Sequence, residues 1–205
     1  MSGILIIGAG GHAKVVADIL MLEGKEVLGF LDDQEQFWGQ TALGLPILGP
    51  VGSYRDYQPS GLALGVGDNK ARKAVVERLG EAARPLWQTA IHPHSVVARA
   101  VEIGPGTVVC AGALIKPETT VGAYVIINAG VTLAHDCVVE DYVHIAPGSN
   151  ISGYVTIGEG VFVGAGAISI PSCAMGEWST IGAGAVVTKN IPPGVIAKGA
   201  PARWQ

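Results

Sequence analysis

The sequence predicts two unlike parts, an α/β domain with a parallel sheet over residues 1–88 and a coiled strand solenoid over 89–190, with a tail at 191–205. Two observations carry this. From Ile91 to Val187 every sixth residue is large and apolar, Ser169 alone excepted, and the residue two places earlier is always Thr, Ser, Val, Ala or Cys. The first eighty-eight residues lack that period and open instead as strand, glycine-rich loop, helix and strand. A helix would repeat near 3.6 residues and a half-buried strand at 2, so a lone large residue in every sixth place marks stacked turns of strand around one core.

In chain order, residues 4–7 form a short apolar strand that runs into Gly8-Ala9-Gly10-Gly11-His12. Residues 13–23 read as a helix whose apolar face holds Val15, Val16, Ile19, Leu20 and Leu22. A second strand at 27–31 ends on the pair Asp32-Asp33, and 45–48 and 62–66 are further strands, the last leading to Gly67-Asp68-Asn69. Residues 70–82 read as a second helix, and 86–91 lead into the solenoid. In a parallel sheet of this kind, ligands sit at the carboxyl ends of the strands. Within the solenoid the large residue fills the core, the small one fits the corner, and the glycines that often follow the large residue (Gly104, Gly122, Gly158, Gly164) are expected to allow tight turns. Ser169 marks either a bulge or a polar contact.

Composition narrows the function. A net charge of −4 and a pI near 5.7 argue against a nucleic-acid surface, and no run of eighteen apolar residues exists to span a membrane. The opening residues lack the pattern of a signal peptide, so a cytoplasmic location is expected. Cys110, Cys137 and Cys173 have no metal-ligand spacing and read as core fillers. Gly8, Gly10 and Ala13 approximate a dinucleotide fingerprint, but the domain is too small for two mononucleotide-binding halves. The same loop suits a diphosphate, which needs only backbone N–H groups at a helix start.

His135 stands out by position. It lies two residues past core Leu133, where most other hexads carry Gly, Pro or Ala. Imidazole on a stiff surface is suited to removing a proton, and a neighbouring carboxylate would favour its charged form. Adjacent strand residues face opposite ways, so Asp136 can reach His135 only where the strand bends at a corner. His144 precedes core Ile145 and is placed to line a cleft; His92 and His94 read as structural. With only His135 and His144 inside the repeats, no metal site is expected. Asn69, Lys70, Arg72 and Lys73 serve equally as a phosphate site or as a solvated helix face.

The segments GAGGHAKVV, FLDD, GVGDN, AIHPHSVV, INAGVTLAHDC and PPGVIAKGAPAR occur in that order. Together they resemble, end to end, the hexapeptide-repeat sugar acyltransferases, typified by bacterial UDP-bacillosamine and GDP-perosamine N-acetyltransferases and, more loosely, sialic-acid O-acetyltransferases. The resemblance implies a left-handed parallel β-helix of five to six coils, and a homotrimer with acetyl-CoA between adjacent solenoids. It implies a nucleotide-linked amino sugar (UDP or GDP) held by Gly10, Gly11, His12, Asp32, Asp33 and Gly67. By the same resemblance His135 is the general base and Asp136 its carboxylate neighbour, where the bacillosamine branch carries Glu. His144, Ala165 and Ala183 match acetyl-CoA contacts, and Lys198 and Arg203 match cations that meet the CoA phosphates. The expected activity is N-acetylation of the amino sugar by direct attack on acetyl-CoA, since no Ser or Cys nucleophile is placed beside a base. O-acetylation of a sugar hydroxyl and a non-catalytic solenoid scaffold remain as alternatives.

Overall fold

The computed structural model describes residues 3–204. The chain divides into two compact units, Met1–Pro93 and His94–Gln205. In the first, strands β1 (Ile4–Ile7), β2 (Val27–Leu31), β3 (Thr41–Ala42), β4 (Leu45–Gly49) and β5 (Gly61–Leu64) form one sheet in the order β3-β4-β2-β1-β5. All neighbours run parallel except β3 and β4. Helix α1 (Gly11–Leu22) buries Ala13, Val16, Ala17, Ile19 and Leu20. Gly65 lets α1 approach closely, because a Cβ there would stand 2.6 Å from that of Ala13.

Helix α2 (Asn69–Leu79) starts on Asp68, whose carboxylate accepts the Ala71 N–H at 2.8 Å, and stops at Gly80, which takes φ +63°. It therefore ends three residues earlier than the sequence suggests, because Gly80 turns the chain before residues 81–82 can join. Helix α1 begins two residues earlier than expected, since Gly10 supplies its extended N-cap and Gly11 already takes helical geometry.

The second unit is a left-handed parallel β-helix. Two-residue strands recur every hexad, and each pairs with the strand three hexads on, as Leu114 with Thr132 and Thr132 with Asn150. Three sheets result, one per face of a triangular prism. The first face includes Leu114–Ile115, Thr132–Leu133, Asn150–Ile151 and Ile168–Ser169; the second includes Thr120–Val121, Val138–Val139 and Thr156–Ile157; the third includes His144–Ile145, Phe162–Val163 and Thr180–Ile181. Ile115, Leu133, Ile145, Ile157, Val163, Ile181 and Val187 are fully buried inside.

The glycines that follow core residues play a different part from the tight turns expected of them. The glycine after each core residue is not the turn residue. The left-handed φ values fall two places later, at Gly106, Gly166 and Gly184, and also at Glu118, Asp136 and Tyr154. Gly104 and Gly164 are glycine because the next coil runs directly against them: a Cβ would lie 2.6 Å from Ala123 N and 2.5 Å from Ala183 N. Close coil-to-coil approach, and not backbone freedom, selects glycine there.

Candidate active site

His135 sits at the corner where the first face of the prism turns into the second. Its Nδ1 lies 2.6 Å from Asp136 Oδ2, and the two side chains are 51% and 32% exposed. The contact between sequence neighbours is possible because Asp136 adopts φ +57°, which swings its carboxylate back over the imidazole. A carboxylate only accepts, so the pair places the proton on Nδ1 and leaves Nε2 as the acceptor. The rest of the imidazole's support comes from eighteen residues on. Tyr154, 59% exposed and at φ +60°, meets the ring edge-on with centroids 5.2 Å apart. Behind the ring is Gly153, where a Cβ would come within 2.9 Å of Cε1 and 3.0 Å of Nε2. Neither residue is marked by local sequence; the coil length applied to His135 and Asp136 is the signal that finds them.

The other candidates fall into separate groups. His144 faces outward from the third face, with Nε2 3.3 Å from Asn128 Nδ2 and its ring edge-on to Phe162 at 5.2 Å. Ala165 and Ala183 lie one above the other at the corner that follows that face, joined by the Gly184 N–H to Ala165 carbonyl bond. On one prism this is a different edge from that of His135. Lys198 and Arg203 are bridged through their backbones, with Nη1 of Arg203 also donating to the Ala202 carbonyl. With Gly194, Val195, Ile196 and Trp204 they line a cleft of ≈ 570 Å³, and Lys189 lies 4.7 Å above the Trp204 ring.

In the first unit, the structure gathers the glycine loop, Asp32 and Gly67 at the carboxyl ends of the strands. Connections from β1 run to one side of the sheet through β2 and β4, whereas β5 lies on the other side of β1. The loops after β1 and β5 therefore flank a switch point, where open α/β sheets bind ligands. A Cβ on Gly67 would be 3.8 Å from that of His12, while one on Gly10 or Gly11 would meet nothing within 4 Å. The space above the helix start is open and suits a diphosphate.

Asp32 and Asp33 are already engaged. Asp32 accepts from Ala9 N–H at 2.8 Å and Gln34 N–H at 2.9 Å, which ties the glycine loop to β2. Asp33 accepts from Val51 N–H at 3.0 Å and pairs with Arg78 at 2.5 Å. Arg72 is buried and donates to the carbonyls of Gly67 and Val66 and to Asn69 Oδ1, so it braces the turn instead of facing solvent.

The cysteines are buried, and burial pushes the Cys110 thiol up to about 11 and raises those of Cys137 and Cys173 as well. They are poor nucleophiles. Among the described residues no group of three or more His, Cys, Asp and Glu side chains is placed to hold a metal ion, and no helix is long and apolar enough to cross a membrane.

Residues 3–79 match the PglD N-terminal domain, 118–153 the bacterial transferase hexapeptide and 154–189 the hexapeptide repeat of succinyl-transferase. A Caulobacter crescentus protein, PerB, solved with CoA and GDP-perosamine, is 36% identical over 100% of this chain and 98% of its own, with a TM-score of 0.90. The chain belongs to the hexapeptide-repeat sugar acetyltransferases. A second family structure, the acetyltransferase domain of PglB from Neisseria gonorrhoeae in complex with acetyl coenzyme A, is 34% identical over 98% of both chains, with a TM-score of 0.90. The UDP-N-acetylbacillosamine N-acetyltransferase of Bacillus subtilis is 40% identical over 54% of this chain, and that match spans 52% of its own length.

Proposed function

We propose that this chain transfers the acetyl group of acetyl-CoA to the amino group of a nucleotide-linked amino-deoxy sugar, with His135 as general base. The observation that carries this reading is the His135–Asp136 pair, held 2.6 Å apart at a solvent-facing corner of a rigid solenoid. Relatives of similar length whose structures hold GDP-perosamine with CoA, or acetyl-CoA, supply the substrate classes.

The amine nitrogen attacks the thioester carbon and a C–N bond forms as the C–S bond breaks. Nε2 of His135 takes the proton that the amine loses. The imidazolium returns it to the departing CoA sulfur, so that the base is regenerated. Asp136 fixes the ring orientation through Nδ1 and offsets the positive charge that develops on it. In this reading the nucleotide diphosphate lies over Gly10 and Gly11, with His12 and Gly67 beside it. Asp32 and Asp33 then act by holding those loops, since their oxygens already accept internal hydrogen bonds. CoA runs past His144, Ala165 and Ala183 toward Lys198 and Arg203.

His135 and the Ala165–Ala183 corner occupy different edges of one prism, which favours a cyclic trimer in which each site takes its base from one copy and its CoA wall from the next. The test supplies UDP- and GDP-linked 4-amino sugars with acetyl-CoA and follows free thiol. The expected product resists mild alkali, as an amide does. An alkali-labile acetyl ester would establish O-acetylation, and no thiol release with any sugar would favour the scaffold reading. Trimers mixed from His135→Ala and His144→Ala chains are expected to regain activity; a fully active monomer would exclude the shared site.

A further inference from the structure

Ser169 is the one polar residue in the line of core positions, and it is 2% exposed. Elsewhere on this face the residue after the core position donates its N–H to the core carbonyl of the next coil, as Lys116 to Leu133 at 3.0 Å, Ala134 to Ile151 at 2.9 Å and Ile170 to Val187 at 3.0 Å. The step between Ser152 and Ser169 is made differently. The Ser152 N–H donates to the Ser169 hydroxyl at 3.1 Å, and the Ser152 hydroxyl donates to the Ser169 carbonyl at 2.6 Å. The regular pairing of the first face is also interrupted there, with only Asn150 and Ile168 in register.

This exchange lies directly under the candidate base. Ser152 precedes Gly153, against which the His135 ring rests, and Tyr154, which meets the ring edge-on. The Ser152 carbonyl accepts from Cys137 Sγ at 3.2 Å, and the Tyr154 N–H donates to the His135 carbonyl at 3.2 Å. The 152–154 corner is thus fastened to the coil before it and to the coil after it, and the hydroxyl of Ser169 supplies one of those fastenings.

We propose that Ser169 is a positioning residue which, by gripping Ser152, sets the height of the Gly153 shelf and so the aim of the His135 imidazole. The inference rests on the reading of His135 as base. A buried hydroxyl in an apolar slot is a poor choice for packing alone, since the other coils of this face fill the slot with Leu, Ile or Val. Its use becomes clear through what it holds. A ring that moves by about 1 Å loses on the order of 100-fold in rate.

The test compares Ser169→Val, Ser169→Thr and His135→Ala in one assay. Ser169→Val restores the apolar rule of the repeat and is expected to fold with an unchanged or higher melting temperature, yet to lose kcat by about 10- to 100-fold with KM within about twofold. Ser169→Thr keeps the hydroxyl and is expected to recover most of the loss. Should Ser169→Val fail to fold, Ser152→Ala removes the second hydrogen bond without touching the core and is judged by the same criteria. The proton signals of the His135 ring, shifted in the parent by the edge contact with Tyr154, are expected to move toward those of a free histidine in Ser169→Val. A folded Ser169→Val with full kcat and unmoved ring signals overturns the proposal. If His135→Ala keeps full turnover, the base itself is wrong, and the ring signals alone then decide whether Ser169 positions the imidazole.

Discussion

Two glycine-rich stretches of this chain look alike in composition and do opposite things. At Gly10 and Gly11 an added Cβ would meet nothing within 4 Å, whereas at Gly153 it would strike the His135 ring and at Gly164 the backbone of the next coil. In the first unit glycine borders open space. In the solenoid it leaves room for the chain itself. A glycine's meaning thus lies in what occupies the missing side chain's place, which a glycine count does not reveal.

Substitution at these glycines tests the contrast. The largest effect on turnover among these glycines is expected at Gly153. Gly153→Ala pushes the imidazole from its shelf, and kcat is expected to fall by about 10- to 100-fold while the melting curve changes little, because a side chain and not backbone must give way. Steady-state kinetics beside a thermal melt would check this. Gly164→Ala should behave in reverse. Its Cβ would lie 2.5 Å from a backbone nitrogen, so a loss of about 1–3 kcal/mol is expected in urea unfolding, from the strain of an overfilled core. Gly11→Ala is expected to leave the fold intact or to stabilise it by at most about 1 kcal/mol, since alanine suits a helix better. It should nonetheless raise KM for the nucleotide sugar and spare KM for acetyl-CoA; an unchanged sugar KM would remove the open loop from the binding site.

How far these roles were legible beforehand depends on how far away their causes lie. The hexad period alone set out the strands of the solenoid, and the apolar run at Ile4–Ile7 gave β1 to the residue. The His135–Asp136 contact was legible as a condition, because it required a corner, and the corner is there. Gly153 was not legible, because its constraint comes from a ring on the preceding coil. The glycines after each core residue read as turn residues in the sequence for the same reason, since the atoms that exclude a side chain belong to the next coil. Ser169 was visible as an interruption, but its purpose depends on the backbone of Ser152. The engagement of Asp32 and Asp33 was equally hidden, since Ala9, Gln34, Val51 and Arg78 meet them only once the sheet is assembled.

The smallest expected effect concerns the filled interior. Cys110 is held as a neutral thiol, its value raised from 9.0 to about 11 by burial. The folded chain therefore keeps its proton where an unfolded chain begins to lose it. That contribution to stability is full below about pH 9 and is lost as pH rises toward about 11. Urea midpoints measured across this window should decline, and Cys110→Ala should flatten the decline. The folded protein should also resist thiol alkylation near pH 8, since all three cysteines are buried.

The eighteen-residue coil also acts as a gauge. Because Leu114 lies beside Thr132 and Thr132 beside Asn150, every side chain keeps its face only if the chain changes length by whole coils. Adding eighteen residues after Gly160 would carry Lys198 and Arg203 about 4.8 Å farther along the axis, in the same orientation. Adding six would turn the tail to another face and keep the core pattern intact. The distance from the imidazole to the terminal cations is therefore set in discrete steps, one coil at a time.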